Sequence, residues 1–368
     1  MEFMGQYHEE AKRIELDLLD RKILYVLSLN GRFSESSIAK ALKTSKEVVH
    51  YRIKRLQKED FLHGFITIVS DQKLGNVVHA VTLALHPSPE HEKLIAALVA
   101  EPQISHLKHY NSLLDLQFGV TTTSLSEFVE FFDRLLNAHH AVIKDYTIST
   151  ILEEEYLGLD FLLEPAERPT ITEKKGPSFQ KEFTIAERWG MVGNKLNMGS
   201  SNKLTMVSNK NNAAIKTSQL FPLDDKDHEI LEHLKHDARM PVLTISQKMN
   251  LATTSVQNRI QNMITNGVIT AFIPYASFSY LGYQWYTLHL RTKNLNQNTF
   301  REYLHQHPNV VWLTKRLGKW NYHLSIFVRS NTEFNRVVGE IGRTFKDSII
   351  AYDSSIVHKQ YKFSQRVR

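Results

Sequence analysis

The predicted fold is α+β: two copies of a winged helix-turn-helix followed by a ferredoxin-like βαββαβ domain, joined by a long linker. Three observations predict it. The first is internal repetition. Leu16-Asp17-x-x-Asp20-x-x-Ile23-Leu24-x-x-Leu27 returns as Leu223-Asp224-x-x-Asp227-x-x-Ile230-Leu231-x-x-Leu234, 207 positions later. The same spacing holds for Arg32/Arg239, Ile38/Ile245, Val49/Val256, Arg52/Arg259, Phe65/Phe272, Gly75/Gly282 and Leu83/Leu290. One deletion moves it to 206, as in Pro102/Pro308, Leu107/Leu313, Phe128/Phe334 and Tyr146/Tyr352. The second observation is the order of periodicities inside each copy, helical first and then mostly alternating. The third is a polar, aperiodic stretch between the copies. A repeat pair in one chain also predicts an intrachain pseudo-dimer.

In the first copy, Leu16, Leu19, Ile23, Leu24 and Leu27 lie on one helical stripe that ends at Asn30-Gly31. Ser34 suits the N-cap of a short second helix. Thr44-Ser45 opens a third, with Val48, Val49, Ile53 and Leu56 expected inside. Residues 61–69 alternate as a strand and complete the winged domain, 15–70. The second copy repeats this order over 222–275, with Pro241 starting its second helix. After Gly75 and Gly282, the order strand, helix, two strands, helix, strand predicts ferredoxin-like domains over 75–157 and 282–362. Residues 164–220 form the linker, expected to be disordered from 194 onward. Its segment 178–192, with Phe179, Phe183 and Trp189, could dock on a neighbour.

The totals narrow the classes. With 42% hydrophobic residues the domains can build ordinary cores. No cysteine is present, which rules out disulfides and thiolate zinc sites and suits a reducing cytoplasm. No apolar run reaches about 18 residues, so no membrane contact is expected, and residues 1–13 do not read as a signal peptide. A net charge of +6 favours a polyanionic partner.

Taken together, the paired Leu-Asp helix starts, Asn30-Gly31-Arg32-Phe33-Ser34, Ile38-Ala39-x-x-Leu42, Arg52-Ile53-x-x-Leu56, Gly64-Phe65 and Leu74-Gly75 resemble the Lrp/AsnC regulators. The resemblance covers 15–157 and 222–362. It implies a DNA-binding head and an effector and dimerisation domain in each copy. Family members are typically one such unit per chain, assembling as dimers or rings. The tandem form departs from that and leaves further homo-oligomerisation open.

Double-stranded DNA is the expected partner. The third helix of copy one carries Ser45, Lys46, His50, Tyr51, Arg52, Lys54 and Arg55 as candidate contacts. Between Lys40 and Lys58 there are seven Lys or Arg and one acid, Glu47. Recognition helices need donors for phosphates along their edges and polar tips towards base edges. The equivalent helix of copy two has one cation, Arg259. It offers Thr253, Thr254, Gln257 and Asn258, and the two amides suit adenine. That copy either reads bases with weak electrostatic support or serves as a structural half. Arg52 and Arg259 have a second reading, as structural partners of Asp20 and Asp227.

The turn Gly318-Lys319-Trp320-Asn321-Tyr322 resembles the family's effector turn, which implies a small, amino-acid-like ligand there. The plain reading is a hairpin turn with an aromatic beneath it. Its copy-one equivalent contains Ser112 and Asp115 but has lost the glycine and the aromatic. Eighteen histidines raise the question of a metal. His106 and His109, three apart on a strand, suit one ion poorly, and His139-His140 and His305-x-His307 lack an acid at ligand spacing. No metal, cofactor or catalytic residue is expected. The architecture is also similar to siroheme decarboxylases, which bring two related units together. On that reading Arg316 and His323 would face a tetrapyrrole carboxylate, but the basicity of the first recognition helix argues for DNA. A third reading is a partner-binding scaffold that has lost both sites.

Overall fold

The computed structural model describes residues 12–110, 116–169 and 220–364. The linker from 170 to 219, with its segment 178–192, lies outside the described residues, as do Ser112 and Asp115.

Copy one begins with α1 (Leu18–Leu29), α2 (Glu35–Leu42), α3 (Lys46–Lys58) and strand β1 (Leu62–Val69). Local chemistry starts each helix. Asp17 caps α1 and forms a reciprocal box with Asp20, Ser34 caps α2, and Ser45 caps α3 through the Val48 N–H. Ile23, Leu24 and Leu27 of α1 bury against Ile38, Val49 and Leu56, which are fully covered. Each such side chain contributes about 1.5–3 kcal/mol. Val48, expected inside, is 37% exposed, because it lies one position off the inward row of Val49, Ile53 and Leu56.

The sheet domain follows as β2 (Val77–Leu85), α4 (His91–Ala100), β3 (Ile104–Tyr110), β4 (Leu116–Thr122), α5 (Leu125–His139) and β5 (Ile143–Tyr156). Copy two repeats the head as α6 (Asp225–His236), α7 (Val242–Lys248), α8 (Thr253–Thr265) and β6 (Ile269–Ala276). Its sheet domain comprises β7 (Gln284–Thr292), α9 (Gln297–Gln306), β8 (Val310–Leu317), β9 (Tyr322–Val328), α10 (Asn331–Thr344) and β10 (Ile349–Phe363). Between head and sheet each copy makes a 3-10 turn ending in Gly75 or Gly282, both at φ 80°. A side chain would be strained there, which accounts for a glycine at both positions.

The two copies are joined at two levels. The strands read as wings pair with each other: β1 and β6 form an antiparallel ribbon, with Phe65 opposite Pro274 and Thr67 opposite Phe272. The heads are also clasped reciprocally. Arg32 donates to the carbonyls of Ala238 and Met240, and Arg239 donates to those of Gly31 and Phe33 at 3.0 and 3.2 Å. Each guanidinium lies over the other copy's phenylalanine, Arg32 on Phe272 and Arg239 on Phe65. Arg239→Ala is expected to cost about 2 kcal/mol, the range for hydrogen bonds from a charged donor. Arg32→Ala on top should cost less than the sum, because the two share one clasp. Urea melts of the single and double variants test this; strict additivity would contradict the clasp.

Below the ribbon, the two four-stranded sheets close into one barrel of order β10-β3-β4-β2-β5-β8-β9-β7. The two seams are β5 with β8 and β10 with β3. The apolar core of each copy lies outside the barrel wall. In copy one, Leu83, Leu107, Leu116 and Phe118 pack with Leu94 and Leu98 of α4 and Phe128, Phe131 and Leu135 of α5. The other face of each strand therefore turns into the barrel.

Candidate functional site

The cations of α3 fall into two groups. Arg52 binds Asp17 and Asp20, the latter at 3.0 Å, and Arg55 binds Asp20 at 2.6 Å. These pairs bolt α3 to the start of α1. Arg52 holds the Asp17 carboxyl down to about 2, below its ordinary value. His50 reaches Glu35 of α2 at 3.0 Å. Lys46, Lys54 and Lys58 are exposed and make no ion pair with any described residue, and Tyr51 beside them is 65% exposed. Lys46, His50 and Lys54 follow one another at i, i+4 and i+8 on a single solvent face. The Ser45 hydroxyl is engaged as the helix cap.

In copy two, Arg259 repeats the bolt, binding Asp224 and Asp227 at 2.8 Å. The position of Arg55 is taken by Asn262. Thr254 and Asn258 are exposed and Gln257 half-buried, while the Thr253 hydroxyl lies 3.2 Å from that of Ser246. The outward face of α8 is thus amide-rich and has no cation besides the paired Arg259.

At the turn 318–322, most groups serve the fold. Gly318 packs on β5, where a Cβ would meet that of Ser149 at 2.8 Å. The Asn321 side-chain oxygen accepts from the Thr292 N–H at 2.6 Å, and Tyr322 is buried against Phe300. Lys319 lies over the Trp320 ring and is exposed.

Inside the barrel, beneath the β1/β6 ribbon, is a cavity of about 120 Å³ that opens to solvent at its mouth. Its walls include His106, Lys108, Asp71, Glu154, Arg316 and His323, with Trp285 and Phe327. Of these, sequence reasoning named Arg316 and His323 as facing a ligand, and only on the tetrapyrrole alternative. His323 Nδ1 lies 2.9 Å from His289 Nδ1, and burial holds both imidazoles neutral, His289 down at about 3. Burial pushes the Asp71 carboxyl up to about 7, although Asn76 donates to it at 3.2 Å. A carboxyl raised in the folded state costs stability as pH rises from about 4 towards 7. Asp71→Asn, which retains an acceptor for Asn76, is therefore expected to raise Tm by about 2–4 °C at pH 8 and leave it unchanged at pH 4. An equal shift at both pH values would refute that origin. Among the described residues, no group of three or more His, Asp or Glu side chains is arranged to hold a metal ion.

Paired helix-turn-helix heads on a closed double sheet define a tandem form of a helix-turn-helix protein. The family model of the AsnC-type helix-turn-helix domain matches residues 16–57 and 223–264, and that of the Lrp/AsnC ligand binding domain matches 287–367. An uncharacterized HTH-type transcriptional regulator of Pyrococcus furiosus is 32% identical over 117 residues, covering 32% of this chain and 78% of its own length. The regulatory protein AsnC of Haemophilus influenzae is 25% identical over 113 residues, 30% of this chain and 75% of its own. The chain belongs to the Lrp/AsnC family of regulators. Its whole tandem form resembles the crystal structure of the siroheme decarboxylase NirDL, with TM-score 0.56 and 11% identity over 95% of this chain and 93% of that one. This last likeness is one of fold. No helix among the described residues is long and apolar enough to cross a membrane.

Proposed function

We propose that this chain is a sequence-specific DNA-binding transcription regulator, not a catalyst, whose two heads contact one asymmetric site on double-stranded DNA. The observation that carries this reading is the face of α3. After Arg52 and Arg55 are engaged with Asp17 and Asp20, Lys46, His50 and Lys54 still line one solvent side. Such a row suits phosphates and base edges in a major groove. The second head contributes Gln257 and Asn258, which suit adenine edges, with little electrostatic support. A small, amino-acid-like metabolite modulates the protein. At the turn 318–322 the groups left to receive it are Lys319 and Trp320, since Asn321 and Tyr322 are engaged in the fold.

The test is fluorescence anisotropy with genomic fragments against random competitor DNA at two salt concentrations, with the absorbance spectrum of the isolated protein recorded alongside. Salt-sensitive binding that survives competitor supports the proposal. The enzymatic reading has one observation in its favour, the fold likeness over the whole chain. Absence of DNA binding together with a tetrapyrrole absorbance band would replace the regulator by that reading. Absence of both would leave a partner-binding scaffold.

A further inference from the structure

Along the seam of β5 with β8, strand alternation sorts the charges by destination. Glu153 and Glu155 point outward, where Arg301, Lys315 and His305 bind them. Glu154 between them, and Arg316 next to Lys315, point into the barrel. At the other seam, His106 and Lys108 occupy alternate positions of β3 and face the same cavity, with the Lys108 ammonium 4.3 Å over the Trp285 ring.

Arg316 is the unusual group. It is 7% exposed, and its guanidinium makes no hydrogen bond or ion pair with any described residue. Holding a guanidinium away from water without a partner is costly. Glu154 contributes its field to both Arg316 and Lys108 but forms an ion pair with neither. Burial lowers both cations, Lys108 to about 8 and Arg316 to about 10, so both remain charged at neutral pH. Burial also pushes Glu154 and Asp71 towards the neutral acid, which weakens their opposition to an anion. His106, His289 and His323 are held neutral by burial.

The charges are also lopsided. At positions related by the 206-residue repeat, Lys108 matches Thr314, Arg316 matches Tyr110, His323 matches Gln117, and Glu154 matches Gln360. The walls are pseudo-symmetric but their inward chemistry is not. Such lopsided walls suit a ligand with two unlike ends.

We propose that the barrel cavity binds a small organic acid, its carboxylate held by Arg316 and Lys108 and its apolar body lying against Trp285, Ile151 and Phe327. A guanidinium fork matches a carboxylate with two parallel hydrogen bonds. Ile66 and Tyr275 of the β1/β6 ribbon also line the cavity, so the ligand touches the element that carries the two heads. The inference goes beyond the DNA-binding reading and does not depend on it.

The experiment uses the full chain and three matched pairs of probes: benzoate with benzamide, hexanoate with hexanamide, and 2-naphthoate with 2-naphthamide. Binding is read by thermal shift and by tryptophan fluorescence, with Trp285→Phe as the control for the optical signal. At least one acid is expected to bind about tenfold or more tightly than its amide. Arg316→Gln should reduce that preference to about twofold or less, and Lys108→Met should weaken it. Arg316→Gln should melt no lower than the parent, because an unpartnered buried charge is gone. Acids that bind no better than their amides in all three pairs would overturn the proposal. So would a preference that survives both substitutions together. Loss of DNA binding with the acid preference intact would refute the regulator reading and leave this site standing.

Discussion

Asp20→Ala is expected to destabilise the first head by about 3 kcal/mol. The carboxylate is fully buried, closes the capping box of α1 with Asp17, and receives both Arg52 and Arg55. Removing it takes the buried partner from Arg55, leaves Arg52 with Asp17 alone, and strips the Asp17 N–H of its acceptor, while Asp17 still caps the helix. Because both arginine side chains keep a fifth or more of their surface accessible, at 21% and 29%, they can turn to water, which places the loss at the low end for a broken buried pair. Asp227→Ala should cost about 1 kcal/mol less, since that carboxylate meets one arginine and is partly exposed. Urea unfolding followed by hydrogen exchange in α1 and α6 separates the two heads. Equal losses at the two positions would show that Arg55 is not part of the bolt.

The second large effect concerns affinity. Replacing Lys46 and Lys54 together by alanine should make the slope of log affinity against log salt shallower by about 1.8, if each lysine neutralises one phosphate. Affinity at low salt should fall by at least about tenfold. Gln257→Ala with Asn258→Ala should leave the salt slope alone and instead relax preference at one or two base pairs, by about 1–3 kcal/mol each. The contrast follows from the two helix faces: α3 has free ammonium groups, and α8 has only amides beside its engaged arginine. Identical salt slopes for the two double variants would remove the asymmetric arrangement.

Legibility followed how local the physics was. Ser34, Ser45 and the Asp17/Asp20 box act on neighbours three residues away, and the helix starts they imply are the ones the structure has. The Arg52–Asp20 and Arg259–Asp227 pairs were readable as an alternative because both partners recur at the same repeat spacing. Arg55 was not separable from Lys54 by sequence, since only the packing of α3 on α1 brings it to Asp20. The ribbon is a further limit. Nothing within residues 61–69 shows that their partner strand lies about two hundred positions later, because pairing between distant strands leaves no local mark. The cavity was hidden for a related reason. His106, Lys108 and Tyr110 are the polar side of an alternating strand, a pattern ordinarily turned to bulk water. Closure of two sheets into one barrel turned that side inward, and only then do Arg316 and Lys108 become neighbours of one enclosed space.

The covalent tie between the two halves of the barrel has a consequence in mass action. Regulators that assemble from separate subunits lose their paired heads on dilution, and occupancy of their sites then varies more steeply than the first power of concentration. Here both seams, the ribbon and the arginine clasp form within one chain. The pairing of the heads therefore does not depend on concentration, and on the proposed reading occupancy of a DNA site by one chain would be hyperbolic. Each half is also free to diverge, because a substitution falls in one half of the chain and not at the equivalent position of the other.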